Sequence, residues 1–168
     1  MMLIGGSLSV NAQWGFTANY LTATPKVESG GFSLDGESYS GVGVGVTYLF
    51  DITEEIQARP EFMYVNYSTS EFSSSYSTLM IPVPLIYAIN DELNIQAGLS
   101  LTYALDEVSD DDVDNSSSSI GFVLGAGYSF SEKVYGQIRY IPQLTNSVSD
   151  PDASLKINNL AFTVGYNL

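Results

Sequence analysis

The sequence predicts an all-β protein: a closed, antiparallel, eight-stranded up-and-down β-barrel that crosses a membrane. Three observations predict it. Apolar and polar residues alternate with period two in eight segments, and a helical period of comparable strength appears nowhere. Charged residues make up only 14% of the chain although apolar ones make up 45%, whereas a soluble domain averages about 25% charged. The links between segments are alternately long and short, as transmembrane barrels arrange loops and turns.

The first segment, Trp14–Leu21, is followed by a long link, Thr22–Ser38. The second, Tyr39–Phe50, sets Val42, Val44, Val46, Tyr48 and Phe50 against Gly41, Gly43, Gly45 and Thr47. The short link Asp51–Glu55 leads to the third, Ile56–Tyr67, and the long link Ser68–Ser77 follows it. The fourth, Thr78–Ile89, contains the longest apolar stretch, from Leu79 on; Pro82 and Pro84 break it, and it is too short for a membrane helix. Asn90–Glu92 is the next short link. The fifth, Leu93–Leu105, opposes Leu93, Ile95, Leu99, Leu101 and Tyr103 to Asn94, Gln96, Gly98, Ser100 and Thr102. After the long link Asp106–Ser118, the sixth, Ser119–Phe130, opposes Ile120, Phe122, Leu124, Tyr128 and Phe130 to Gly121, Gly125, Gly127 and Ser129. Ser131–Glu132 is the last short link, and the seventh segment is Lys133–Leu144. The long link Thr145–Lys156 precedes the eighth, Ile157–Leu168, where Leu160, Phe162, Val164, Tyr166 and Leu168 oppose Asn159, Ala161, Thr163, Gly165 and Asn167. Most segments exceed the about 9–11 residues that a tilted strand needs to cross a bilayer. Pro60, Pro82, Pro84 and Pro142 each remove a ladder donor, so local bulges or bridging waters are expected there.

A soluble lipocalin-like barrel shares this alternation, so the direction of the apolar face decides. Pointed inward, the large side chains would crowd a lumen that eight strands leave just wide enough for ordinary packing. The outside would be Gly, Ser, Thr, Asn and Gln with almost no charge, a poorly solvated surface. Pointed outward, the apolar groups meet lipid, and small or amide side chains fill the interior. Charge agrees: all of the 19 acidic residues except Glu61 fall in links. Aromatic residues gather at both ends of the segments. One end has Trp14, Phe16, Tyr48, Phe50, Tyr87, Tyr128, Phe130 and Tyr166; the other has Tyr20, Tyr64, Tyr103 and Tyr140. Two such bands fit interfacial girdles.

Residues 1–13 read as the remnant of a secretory signal, with a short apolar stretch Leu3–Val10 and a cleavage-like Asn11-Ala12-Gln13. The barrel domain is then 14–168.

Net charge is −14, with five Lys plus Arg. That excludes nucleic acid, whose phosphates need a basic footprint. The absence of Cys and His removes disulfides, thiol chemistry, His-based triads and the usual zinc sites. A serine nucleophile would lack its usual base, so the chain reads as non-enzymatic, without a cofactor. Asp110, Asp112 and Asp114 begin a D-x-D-x-D calcium pattern, but Asn115 replaces its glycine and Gly121 its last glutamate. A solvated acidic loop is the default, with weak divalent binding the sharper alternative. Arg59, Glu61 and Arg139 fall on the inward face, with Gln57, Gln96 and Gln137 nearby in the pattern. Charges in a narrow bore are costly unless paired, so they read as a polar plug; an ion path is the alternative.

Four segments carry a family resemblance. Ile56-Gln57-Ala58-Arg59-Pro60-Glu61-Phe62-Met63-Tyr64, Ile81-Pro82-Val83-Pro84-Leu85, Val123-Leu124-Gly125-Ala126-Gly127-Tyr128, and Arg139-Tyr140 with Leu144-Thr145-Asn146 resemble strands of the outer-membrane β-barrel "porin family" of Bacteroidetes-type bacteria. Met80 stands where that family often has Glu. The resemblance implies an OmpA-like or OmpX-like barrel fold in a bacterial outer membrane, with termini and short turns periplasmic and long loops extracellular. Outer-membrane lipid and lipopolysaccharide are the expected surroundings, envelope proteins the further partners, and a monomer the expected state. The expected role is structural or surface-interacting through the acidic loops; a small-solute pore and a soluble carrier are the alternatives.

Overall fold

The computed structural model describes residues 13–29, 32–68, 75–105, 118–145, 148–150 and 153–168. Among them there is no helix. The strands are β1 (Gln13–Ser29), β2 (Phe32–Asp35), β3 (Tyr39–Asp51), β4 (Ile56–Ala58), β5 (Glu61–Ser68), β6 (Ser75–Ala88), β7 (Leu93–Ala104), β8 (Ser118–Ser129), β9 (Val134–Ile141), β10 (Val148–Asp150) and β11 (Ala153–Asn167). Every pairing is antiparallel; β1, β3, β4 with β5, β6, β7, β8, β9 and β11 pair in that order, and β1 pairs with β11 from Gly15↔Asn167 to Ser29↔Ala153. That last ladder closes the sheet into a barrel and leaves its eight main staves without a free edge. β4 and β5 together make one stave; β2 and β10 are short additions.

The three tight turns form for a local reason. Thr53, Asn90 and Ser131 each accept, through the side-chain oxygen, from backbone N–H groups two and three residues on. Asn, Ser and Thr fold the chain back this way because a short polar side chain mimics a backbone turn. The start of β1 and the end of β11 lie at the same end, where Leu168 N donates to Trp14 O at 2.9 Å.

Most of the large apolar residues point away from the barrel axis. Val42, Val44 and Leu99 are 64%, 65% and 55% exposed, while Gly41, Gly43 and Ser100, on the opposite faces of their strands, are buried. This direction rules out the soluble lipocalin-like alternative, which needs an apolar lumen and a polar exterior.

Two expectations require correction. The prolines produce no bulge. Thr47↔Glu61 and Phe50↔Ala58 share one register on either side of Arg59–Pro60, as do Ile56↔Tyr87 and Met63↔Met80. The stave is merely interrupted: Arg59 N donates to Pro84 O at 3.1 Å, and Pro84 has no N–H to return. Beyond Pro142 side chains continue the ladder, with Ile157 N donating to Gln143 Oε1 at 2.9 Å and Gln143 N to Asn158 Oδ1 at 3.3 Å.

The second correction concerns two of the expected long loops. Thr22–Ser38 and Thr145–Lys156 hold much of β1, β2, β10 and the start of β11, with Val27 pairing both Leu34 and Leu155. At about 3.3 Å per residue, the 17-residue β1 outruns the bilayer. Beyond lipid a strand needs no apolar side, so the ladder continues after the alternation stops. Gln13, assigned to the leader by sequence, already pairs with Leu49 in β1; residues 1–12 lie outside the described residues.

Candidate functional site

Alternation aims one side chain in two into the lumen, and these form two tiers. The tier nearer the turns is polar. Glu61 on β5 and Arg139 on β9 form an ion pair, Oε2 to Nη1 at 2.7 Å, with side chains 0% and 1% exposed. Arg139 Nε donates to Gln96 Oε1 at 2.9 Å, and Gln96 Nε2 donates to Gln137 Oε1 and Asn94 Oδ1, each at 3.0 Å. Thr17 Oγ1 donates to the other oxygen of Glu61, Asn19 Nδ2 to Thr17 Oγ1 at 3.0 Å, and Thr163 Oγ1 to Asn19 Oδ1. The chain of bonds therefore links β5, β9, β7, β1 and β11 across the bore. A buried charge needs this density of partners, because desolvation costs several kcal/mol per ion.

Glycines make the room. A Cβ on Gly45 would lie 2.7 Å from Thr17 Oγ1 and 3.1 Å from Glu61 Oε1, and one on Gly165 would lie 2.0 Å from the Tyr135 ring. That ring carries Arg59, whose guanidinium carbon sits 4.0 Å from its centroid, a cation–π contact in a desolvated setting.

Of the residues expected inside the bore, Arg59, Glu61, Arg139, Gln96 and Gln137 are all buried there. Gln57 does not join them. It lies at the turn-side rim and donates from Nε2 to Asp51 Oδ1 at 2.8 Å, since Asp51 is the nearer acceptor at the start of the turn. Sequence reasoning missed Thr17, Asn19, Thr163 and Tyr135. Tyr135 was recoverable, because it shares an inward face with Gln137 and Arg139.

The tier nearer the loops is apolar, a departure from the expected interior of small and amide side chains. Leu21, Met63, Val65, Met80, Val123 and Ile141 pack there at 2% exposure or less. Glu61, Met63, Val65 and Tyr67 lie on one face of β5, so a single stave contributes to both tiers. Above the apolar tier, at the loop-side mouth, is a cavity of about 100 Å³ lined in part by Tyr67, Tyr76, Thr78 and Asn159. The tyrosine rings stack at 4.8 Å and 15°, and Tyr67 OH donates to Asn159 Oδ1 at 2.9 Å.

Eleven of the twelve girdle residues named from sequence lie on the outward faces of their strands, and Phe130, just past the end of β8, is also exposed. On the turn side, Trp14 contacts Tyr48 at 4.9 Å and Tyr128 contacts Phe130 at 5.3 Å, ring centre to ring centre. Phe16, Phe50, Tyr87 and Tyr166 complete that band. On the loop side stand Tyr20, Tyr64, Tyr103 and Tyr140, with Tyr64 OH donating to Ser77 Oγ at 2.8 Å. Asp110, Asp112 and Asp114 lie outside the described residues. Among the described residues no group of three or more acidic side chains is placed to hold a metal ion.

A barrel with this closure, lipid-facing band and filled bore matches a known family. The model of the outer membrane protein beta-barrel domain matches residues 1–167. The chain belongs to this family. It is a bacterial outer-membrane barrel. No curated protein matches its sequence, but solved structures share its fold. Ail, the attachment invasion locus protein of Yersinia pestis, aligns with a TM-score of 0.53 at 10% identity, over 92% of this chain and 98% of its own. Neisserial surface protein A aligns at 0.54 and 18% identity, over 91% and 97%. The outer membrane enzyme PagL aligns at 0.56 and 16% identity, over 86% and 97%. At such identities the outer-membrane barrel shares a fold with them and nothing finer follows.

Proposed function

We propose that this outer-membrane barrel is a sealed scaffold that conducts no solute and meets its surroundings through its loop-side surface. The termini and three tight turns face the periplasm, and the four long acidic links face outward, into lipopolysaccharide and toward other envelope proteins. The barrel works as a monomer.

The observation that carries this reading is the Glu61–Arg139 pair, held at 0% and 1% exposure in the middle of the bore. A water-filled pore would wet those charges. The apolar tier supports the reading again, because an ion passing Leu21, Met63 and Val65 would shed its hydration with nothing to replace it. The role is non-catalytic. The sequence has no His or Cys, and the buried carboxylate of Glu61 is occupied by Arg139 and Thr17 rather than poised over a nucleophile. Recording current across planar bilayers containing the refolded full-length barrel tests the reading. The expected trace is flat at both polarities; discrete, reproducible steps would show a pore and defeat it.

A further inference from the structure

Cations are scarce in this chain, and their placement is informative. Of the five Lys plus Arg, Arg59 and Arg139 are buried in the bore. Lys133 lies on the turn side, its Nζ 5.6 Å from the centre of the Tyr166 girdle ring. The remaining two meet on the loop side, where Lys26 on β1 and Lys156 on β11 are direct cross-strand partners. They continue the outward rows of Tyr20 and Leu160, since alternation carries those faces along both strands. Like charges set directly opposite one another weaken a sheet. Asp35, in register with Lys26 on β2, is placed to offset one of them, and Glu28 comes two places further from the membrane.

Between this lysine pair and the bilayer runs a groove of about 580 Å³ on the outer wall. Its lining changes in order along the barrel. Leu160 and the girdle residue Tyr140 line the membrane end, Thr22, Thr24 and Asn158 the middle, and Lys26 with Asp35 the far end. An alkyl chain suits the first group. The hydroxyls, the amide and the ammonium all donate to an anionic oxygen. A lysine stem also lets its charged head reach along an apolar wall toward the membrane surface. A molecule that is apolar at one end and anionic at the other, standing at this height, is a lipid. A free ion would leave Leu160 and Tyr140 unused. We propose that the groove seats the phosphate-bearing headgroup of one lipid of the loop-side leaflet, with the root of an acyl chain on Leu160 and Tyr140. That this leaflet is the outer one rests on the loops facing outward, as proposed above.

Native mass spectrometry tests it on the full chain refolded in an amine-oxide detergent. The probes are lipid A carrying both phosphates and the same lipid A stripped of them. The phosphorylated form should stay bound to the barrel and the stripped form should not. Lys26→Gln and Lys156→Gln should each weaken retention by about fivefold, the share of one lysine near a charged lipid surface, and the double variant should compound the loss. Lys133→Gln, on the turn side, should change nothing, and excess inorganic phosphate should not displace the lipid. Arginine at both positions keeps the charges and should keep the lipid, which serves if glutamine disturbs the fold. Equal retention of the two lipids would overturn the proposal. So would a double glutamine variant that binds like the parent, a Lys133→Gln loss as large as the others, or displacement by phosphate. Orientation is read separately. The chain has no cysteine, so Glu37→Cys, at an exposed loop-side position, should take an impermeant maleimide on intact cells. No labelling would defeat the outward reading and leave the lipid result standing.

Discussion

Arg139 spends its guanidinium on Glu61 and Gln96, and that makes it the most informative single residue in the lumen. Removing one partner of a buried pair costs about 3–5 kcal/mol, because the other charge is left buried and unpaired. Arg139→Gln should therefore lower stability by roughly that amount in urea unfolding from lipid vesicles. The double variant Glu61→Gln/Arg139→Gln should recover part of the loss; a double variant that costs the sum of the singles would show that the pair is not coupled. Gly165 provides a steric counterpart. Alanine there drives a Cβ into the Tyr135 ring, and overpacking of this kind costs about 1–3 kcal/mol. Removing the ring as well, in Gly165→Ala/Tyr135→Ala, should cost less than the two singles added.

At the scale of the strand, lipid decides what a residue can be. Leu99, in mid-strand on β7, is 55% exposed toward the apolar band, so Leu99→Arg should destabilise by about 2–4 kcal/mol. Thr24 shares the outward face of Tyr20 but lies on the extension of β1, opposite Asn158. Thr24→Arg should cost about 0–1 kcal/mol; equal penalties for the two in vesicle unfolding would mean that the extension, too, is immersed. The same boundary explains what was legible in the sequence. Within the bilayer one face must be apolar, so alternation located all eight staves and the outward direction of eleven of the twelve girdle aromatics. Beyond it, around Thr24-Pro25-Lys26, both faces are tolerated and the strands looked like loop. Inside the lumen the pattern was read as polar because Gly, Gln and Ser dominate β7 and β8. Met63, Val65 and Tyr67 share a face with Glu61, and counting in twos from Glu61 would have placed them. The hydrogen-bond chain from Thr163 through Asn19 and Thr17 to Glu61 was beyond reach, since it depends on which staves become neighbours when β11 closes on β1.

For the molecule as a whole, the ring of strands, the two girdles and the two lumen tiers have one cause. A sheet in hydrocarbon must pair every backbone group internally, turn its large apolar side chains to lipid, and fill a bore just wide enough for side chains. Trp14 reports on this without any mutation, being the only tryptophan in the sequence and standing outward at the turn-side girdle, 57% exposed. In vesicles of lipids brominated at defined depths, its emission should be blue-shifted. Bromines close to the headgroup should quench it most, those at the chain ends less, and aqueous iodide barely. Emission untouched by every brominated lipid but quenched by iodide would put the apolar face against water and contradict the account.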